Sequence, residues 1–189
     1  MEAMLHELNM HQFELKYFLD DLGHITTLFF VHPDSISLLK QYPDLLLMDC
    51  TYKTNRFHMP LLNIIGCTSL NRTFFTTFIF MSGETEKDYT SALKMLFEVL
   101  IAQEISYPKV IITDKDQSLM KAISFLFPRT INLLCDWHIN KNVLSYAISL
   151  KLFEKGTDEE KDFMNQWRGI VTSKTVTEYE KRWLAFQKK

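Results

Sequence analysis

Two near-continuous apolar runs, LLLMDCTY at residues 45–52 and VIITD at residues 110–114, each close on an aspartate. A short run of this kind, without polar alternation, is the pattern of a strand covered on both of its faces. It therefore demands a sheet with packing on either side. A carboxylate placed where such a strand emerges is rigidly held and still reachable. If Asp49 and Asp114 sit on neighbouring strands, they can grip a hard divalent cation through oxygen ligands.

The remaining chain supplies the other elements. Residues 5–44 begin as a mixed stretch, continue as HITTLFFVHP, a strand ended by Pro33, and then give SISLLKQYPD, a short helix ending before Pro43. MPLLNIIGCTSL and TFFTTFIFMS read as an antiparallel hairpin turning at residues 69–72. Three consecutive strands thus precede any long helix. Thr85 can cap that helix, and Tyr89, Ala92, Leu93, Leu96, Phe97, Leu100 and Ile101 recur at spacings of three and one, a stripe suited to covering the sheet. KVIITD is then a strand, DQSLMKAISFLF a helix stopped near Pro128, and INLLC a last strand running into a helix from about Asp136. The order βββ, α, β, α, β, α matches the α/β RNase H-like architecture, a meander followed by βαβ units.

Beyond residue 141 the sequence becomes helical and polar-rich. Thr157 with Glu160 and Thr175 with Glu178 each fit a capping box and mark two helix starts. The expected division is a lead-in at 1–44, a core at 45–145 and the beginning of an all-α insertion at 146–189.

Composition narrows the partners. A chain of 189 residues that is 47% hydrophobic can bury one full core, while a formal charge of −2 gives no basic footprint for tight stand-alone DNA binding. Three cysteines, Cys50, Cys67 and Cys135, make an odd set without framework spacing, which favours a reducing, intracellular setting. No apolar stretch approaches the roughly 18 to 20 residues needed to span a bilayer, so neither a signal peptide nor a membrane anchor is read. No Lys/Arg run reads as a nuclear address.

Each candidate residue also has a plain structural reading. Asp49 alone would be a strand-end aspartate bonded to a turn, and Asp114 alone would be the N-cap of the following helix. Asp116 is expected to face solvent in the first helical turn, where the helix dipole favours it. Lys53, Asn55, Arg56 and His58 follow Asp49 and could approach phosphates, or simply belong to a solvated loop. Cys135 and His138 form a C-x-x-H pair, but a structural zinc site needs two further ligands and no second pair occurs, so a buried thiol and a first-turn histidine are the default. Trp137 reads as a core or partly buried aromatic.

Three separated strings, YPDLLLMDCTYKTNRFHMPLLNIIG, VIITDKDQSLMKAI and FPRTINLLCDWHINKNV, together resemble the catalytic domain of the Mutator-like element (MULE) transposases over roughly residues 25–145. The resemblance implies Asp49 and Asp114 as the first two members of a metal-binding acidic triad of DDE type, with Cys135 and His138 matching the family's C-x-x-H signature. It implies two-metal phosphoryl transfer with Mg²⁺ or Mn²⁺ at the aspartates, cleaving and joining DNA strands. It further implies transposon-end and target DNA as partners of the full-length protein, a homo-oligomer, no membrane and a nuclear location. The family's third acid is a glutamate beyond a helical insertion. Glu154, Glu159, Glu160, Glu178 and Glu180 do not fit it, so the stretch is expected to stop inside the insertion and to lack that acid. One flank of the sheet is then expected to lack its cover and to expose an apolar patch. A domesticated, non-catalytic DNA-associated or protein-binding module is the alternative, and an exonuclease of the same architecture ranks third.

Overall fold

Strand alternation assembles the sheet in the computed structural model, which describes residues 2–187. Among these residues the strands are β1 (Glu14–Leu19), β2 (Ile25–Val31), β3 (Leu45–Thr51), β4 (Leu61–Cys67), β5 (Thr73–Met81), β6 (Val110–Thr113) and β7 (Ile131–Leu134). They form one sheet of order β1-β2-β5-β4-β3-β6-β7. β1 through β5 pair antiparallel, and β6 and β7 continue parallel from β3. The segment β5-β4-β3-β6-β7, a meander extended by two parallel strands, is the RNase H-like arrangement expected from the sequence.

The lead-in contributes more than expected. Besides β2 it adds β1 and helix α1 (Glu2–Met10), so that β1 and β2 extend the sheet beyond the meander. β1 was not legible because ELKYFL lacks clean alternation and is largely exposed.

Each face of the sheet has its own core. Phe29, Val31, Leu46, Met48, Leu62, Ile64, Ile79, Met81 and Ile111 point to one side, where helices α2 (Pro33–Gln41), α3 (Glu86–Ala102) and α4 (Gln117–Leu126) supply the facing residues. Leu28, Phe30, Met59 and Phe80 point to the other, partly covered by Met4, Leu5 and Leu8 of α1. Phe30 stacks on Phe78 at 5.3 Å, a cross-strand aromatic contact that supports the β2–β5 pairing.

Helix α3 starts as its sequence predicts. Thr85 accepts from the Asp88 amide at 3.2 Å and Asp88 accepts from the Thr85 amide at 3.0 Å, a complete capping box. Its buried face is rotated from the expected stripe. Met95 and Val99 are buried, whereas Ile101 is 55% exposed. Of the expected strands, β3 is buried through Leu46 and Met48 alone, and Leu45 and Leu47 are only half-buried on the opposite face.

The chain divides into two compact units, Met1–Cys135 and Asp136–Lys189. The second comprises α5 (Asp136–Ser149), α6 (Asp158–Val171) and α7 (Val176–Phe186). Helix α5 ends at Ser149, two residues before Lys151 takes a left-handed φ of 57°. Within this unit the indole of Trp167 donates to Asn140 at 2.8 Å, and Phe163 packs on Phe153 and Phe186. Thr157 and Thr175 cap α6 and α7, but the reciprocal carboxylates reach one residue further back. Glu160 accepts from the Gly156 amide at 2.6 Å and Glu178 from the Lys174 amide at 2.9 Å.

Candidate active site

Asp49 lies in β3 and Asp114 one residue past β6. The parallel ladder pairs Leu45 with Val110, Leu46 with Ile111 and Leu47 with Ile112. Advancing that register by two residues sets Asp49 beside Asp114. Strands in a sheet are about 4.8 Å apart, and residues in register on parallel neighbours share a face. By alternation with the core-facing Leu46, Met48, Ile111 and Thr113, both aspartates belong to the face away from α3 and α4. Thr113, fully buried, donates its hydroxyl to the Asp114 carbonyl at 2.8 Å and so fixes the backbone at the strand end.

The N-cap reading of Asp114 fails, because Asp116 has that place. Asp116 Oδ1 accepts from the amides of Ser118 at 2.7 Å and Leu119 at 3.0 Å. Asp116 also departs from its expected solvent-facing role. It is part-buried, and its Oδ2 accepts from the Tyr89 hydroxyl at 3.3 Å.

Asn63 is a site residue that sequence reasoning missed. It pairs directly with Asp49 across the antiparallel β3–β4 ladder and donates to Thr51 Oγ1 at 2.8 Å. Its position inside the apolar run LLNIIG was the available signal.

The loop after β3 is tightly organised. Lys53 and His58 adopt left-handed φ values of 59° and 56°, a conformation uncommon for residues other than glycine. Asn55 holds the loop by accepting from the amides of Phe57 at 3.0 Å and Met59 at 3.2 Å and donating to the Met59 carbonyl at 2.6 Å. Its amide is thus engaged internally instead of being offered to a phosphate. Arg56 lies over the Phe57 ring, 4.9 Å from its centroid.

Cys135 ends the first unit, with its amide donating to the Thr113 carbonyl at 2.7 Å, and its thiol is free and half-buried. Trp137, expected to be a core or partly buried aromatic, is 61% exposed, with the Lys141 amine 4.9 Å from its ring centroid. His138 stands in the first turn of α5.

The family model described as MULE transposase domain matches residues 45–142, a span that holds both aspartates and the C-x-x-H pair. The chain belongs to the MULE transposase domain family. Among curated proteins, this MULE domain is 26% identical over 162 residues to Protein FAR1-RELATED SEQUENCE 5 of Arabidopsis thaliana, covering 85% of this chain and 19% of that protein. It is 36% identical over 103 residues to the PKS-NRPS hybrid synthetase cheA of Chaetomium globosum, covering 54% of this chain and 2% of that protein. The chain therefore spans a fifth or less of the length of these relatives. Among solved structures, the HTLV-2 integrase catalytic core domain in complex with magnesium aligns with a TM-score of 0.32 and 14% identity, over 64% of this chain and 81% of that one.

As donors, Asp49 and Asp114 suit a hard divalent cation, which Mg²⁺ sites commonly bind through one or two carboxylates, the remaining positions going to water and substrate phosphate. Among the described residues, no group of three or more His, Cys, Asp or Glu side chains could hold a metal ion. None of the described helices is long and apolar enough to cross a membrane.

Proposed function

We propose that this chain is the catalytic core of a Mutator-like DNA transposase, acting by metal-dependent cleavage and transfer of DNA strands, with residues 45–145 as the core and 146–189 as part of a helical insertion. One observation carries the reading: the β3–β6 register, carried two residues past Leu47 and Ile112, supports Asp49 and Asp114 as neighbours on one face near the strand ends. In this reading the two carboxylates bind Mg²⁺ or Mn²⁺. A divalent cation bound there supplies charge stabilisation at a phosphate oxygen and a nucleophilic oxygen at neutral pH. Asp49 and Asp114 orient it from rigid backbone, and Asn63 fixes the strand beside Asp49. Lys53 and Arg56 place positive charge, and His58 a hydrogen-bonding ring, on the loop next to the site, where a DNA backbone would lie. DNA as partner, a homo-oligomer and a nuclear location belong to the same proposal.

The test is incubation of the protein with branched DNA carrying a strand end, in Mg²⁺ or Mn²⁺. Strand cleavage or joining is expected, lost on chelation and in Asp49→Asn and Asp114→Asn, with DNA binding retained in both variants. The two-carboxylate donor set favours a second reading, a domesticated DNA-associated or protein-interaction module. Binding without cleavage in the wild-type protein, indifferent to both substitutions, would establish that reading instead.

A further inference from the structure

The ladder joining β3 to β6 runs no further than Leu47 and Ile112, two residues short of the aspartates on each strand. Asp49 is tied on its other side to β4, and Cys135 ties β7 to Thr113.

A chain of side-chain hydrogen bonds links the two aspartate-bearing segments. The Tyr52 hydroxyl, three residues after Asp49, donates to Glu84 Oε1 at 2.6 Å. The Tyr89 hydroxyl lies 3.2 Å from the same Glu84 oxygen and 3.3 Å from Asp116 Oδ2, two residues after Asp114. Tyr89 is fully buried in the first turns of α3, and Asp116 is anchored by capping α4 through its other oxygen. A phenol has one proton, so Tyr89 donates to one carboxylate at a time while standing against both. The Cys50 thiol, packed against the core face next to Asp49, lies in the same group. Burial and the adjoining Glu84 carboxylate push its pKa up.

We propose that Glu84 and Tyr89 are positioning residues, bracing the two aspartate-bearing segments at a fixed separation through Tyr52 and Asp116. The inference rests on the reading of Asp49 and Asp114 as cation ligands. Tyr89 lies on the core side of the sheet, while alternation turns Asp49 and Asp114 to the other face.

The experiment uses the whole chain with Mn²⁺ alone as probe, its affinity read by electron paramagnetic resonance, and amide hydrogen exchange measured without metal. Tyr89→Phe and Glu84→Ala are expected to weaken Mn²⁺ binding about tenfold, the scale on which supporting partners of metal ligands act. Both should speed exchange at residues 50–54 and 114–118. Glu84→Gln, which keeps an accepting oxygen for both phenols, should recover most of the affinity. Leu93→Ala, a core change in the same helix, should lower stability yet leave Mn²⁺ affinity unchanged. Wild-type affinity in Tyr89→Phe and Glu84→Ala, or an equal loss in Leu93→Ala, would overturn the brace. If the wild-type chain binds no Mn²⁺, the cation-site reading fails. The metal-free exchange then decides the brace: unchanged rates in both network variants would refute it.

Discussion

Individual residues at this site are distinguished by which face of a strand they take. Asp49 and Cys50 are neighbours in sequence, yet one shares the face of Leu45 and Leu47 and the other packs with the core. Burial raises the pKa of Cys50 and also that of Tyr89. The folded state thus holds these protons where the unfolded chain, with thiol near 8.5 and phenol near 10, releases them. Stability from both groups is present below those values and falls as pH rises through them. Urea titrations at pH 7 and pH 10 should show lower stability at the higher pH, with a smaller decrement in Tyr89→Phe. Gly66 gives a second prediction at this scale. A Cβ there would meet the Phe74 ring, so Gly66→Ala should cost about 1–3 kcal/mol by overpacking, measurable in the same titrations. The aspartates were legible in the sequence because each ends an apolar run. The partners of Tyr52 and Tyr89 were not, since Glu84 and Asp116 lie 32 and 27 residues away from them, and no local pattern encodes such a contact.

Among the elements, α3 connects the core to the site. Its capping box and buried stripe fix the turn that carries Glu84 and Tyr89. Thr85→Ala should lower stability by about 1 kcal/mol. Leu93→Ala, at a fully buried position, should cost about 2–5 kcal/mol by chemical denaturation. The strands of the meander and both βαβ strands could be read from apolar runs bounded by turns, and the caps of α3, α6 and α7 from Thr followed by an acidic residue. The rotated face of α3 could not. Met95 and Val99 fill the core while Ile101 points outward, because the sheet and α4, neither visible in a single helix's periodicity, decide which side is covered. β1 was missed for a related reason. As an exposed edge strand it needs no hydrophobic alternation, and its pairing with β2 forms it.

Over the whole molecule, apolar burial is unequal between the two units. The first has cores on both faces of a sheet, whereas α7 has no buried residue among those described and α5 and α6 bury only Ala147 and Ile170. Hydrogen exchange on the intact chain should find the amides of α7 exchanging well before those of β3, β4 and α3, since opening free energy follows local burial. Ile131 and Leu133 on the edge strand β7 are 60% and 48% exposed. The central claim is that the register of β3 and β6 builds a cation site from Asp49 and Asp114. The direct measurement is Mn²⁺-induced paramagnetic broadening of backbone amide signals across the assigned protein. Broadening centred on residues 48–50 and 113–115, abolished by Asp49→Asn, is the predicted result. Broadening centred elsewhere, or persisting at those residues in the variant, would contradict it.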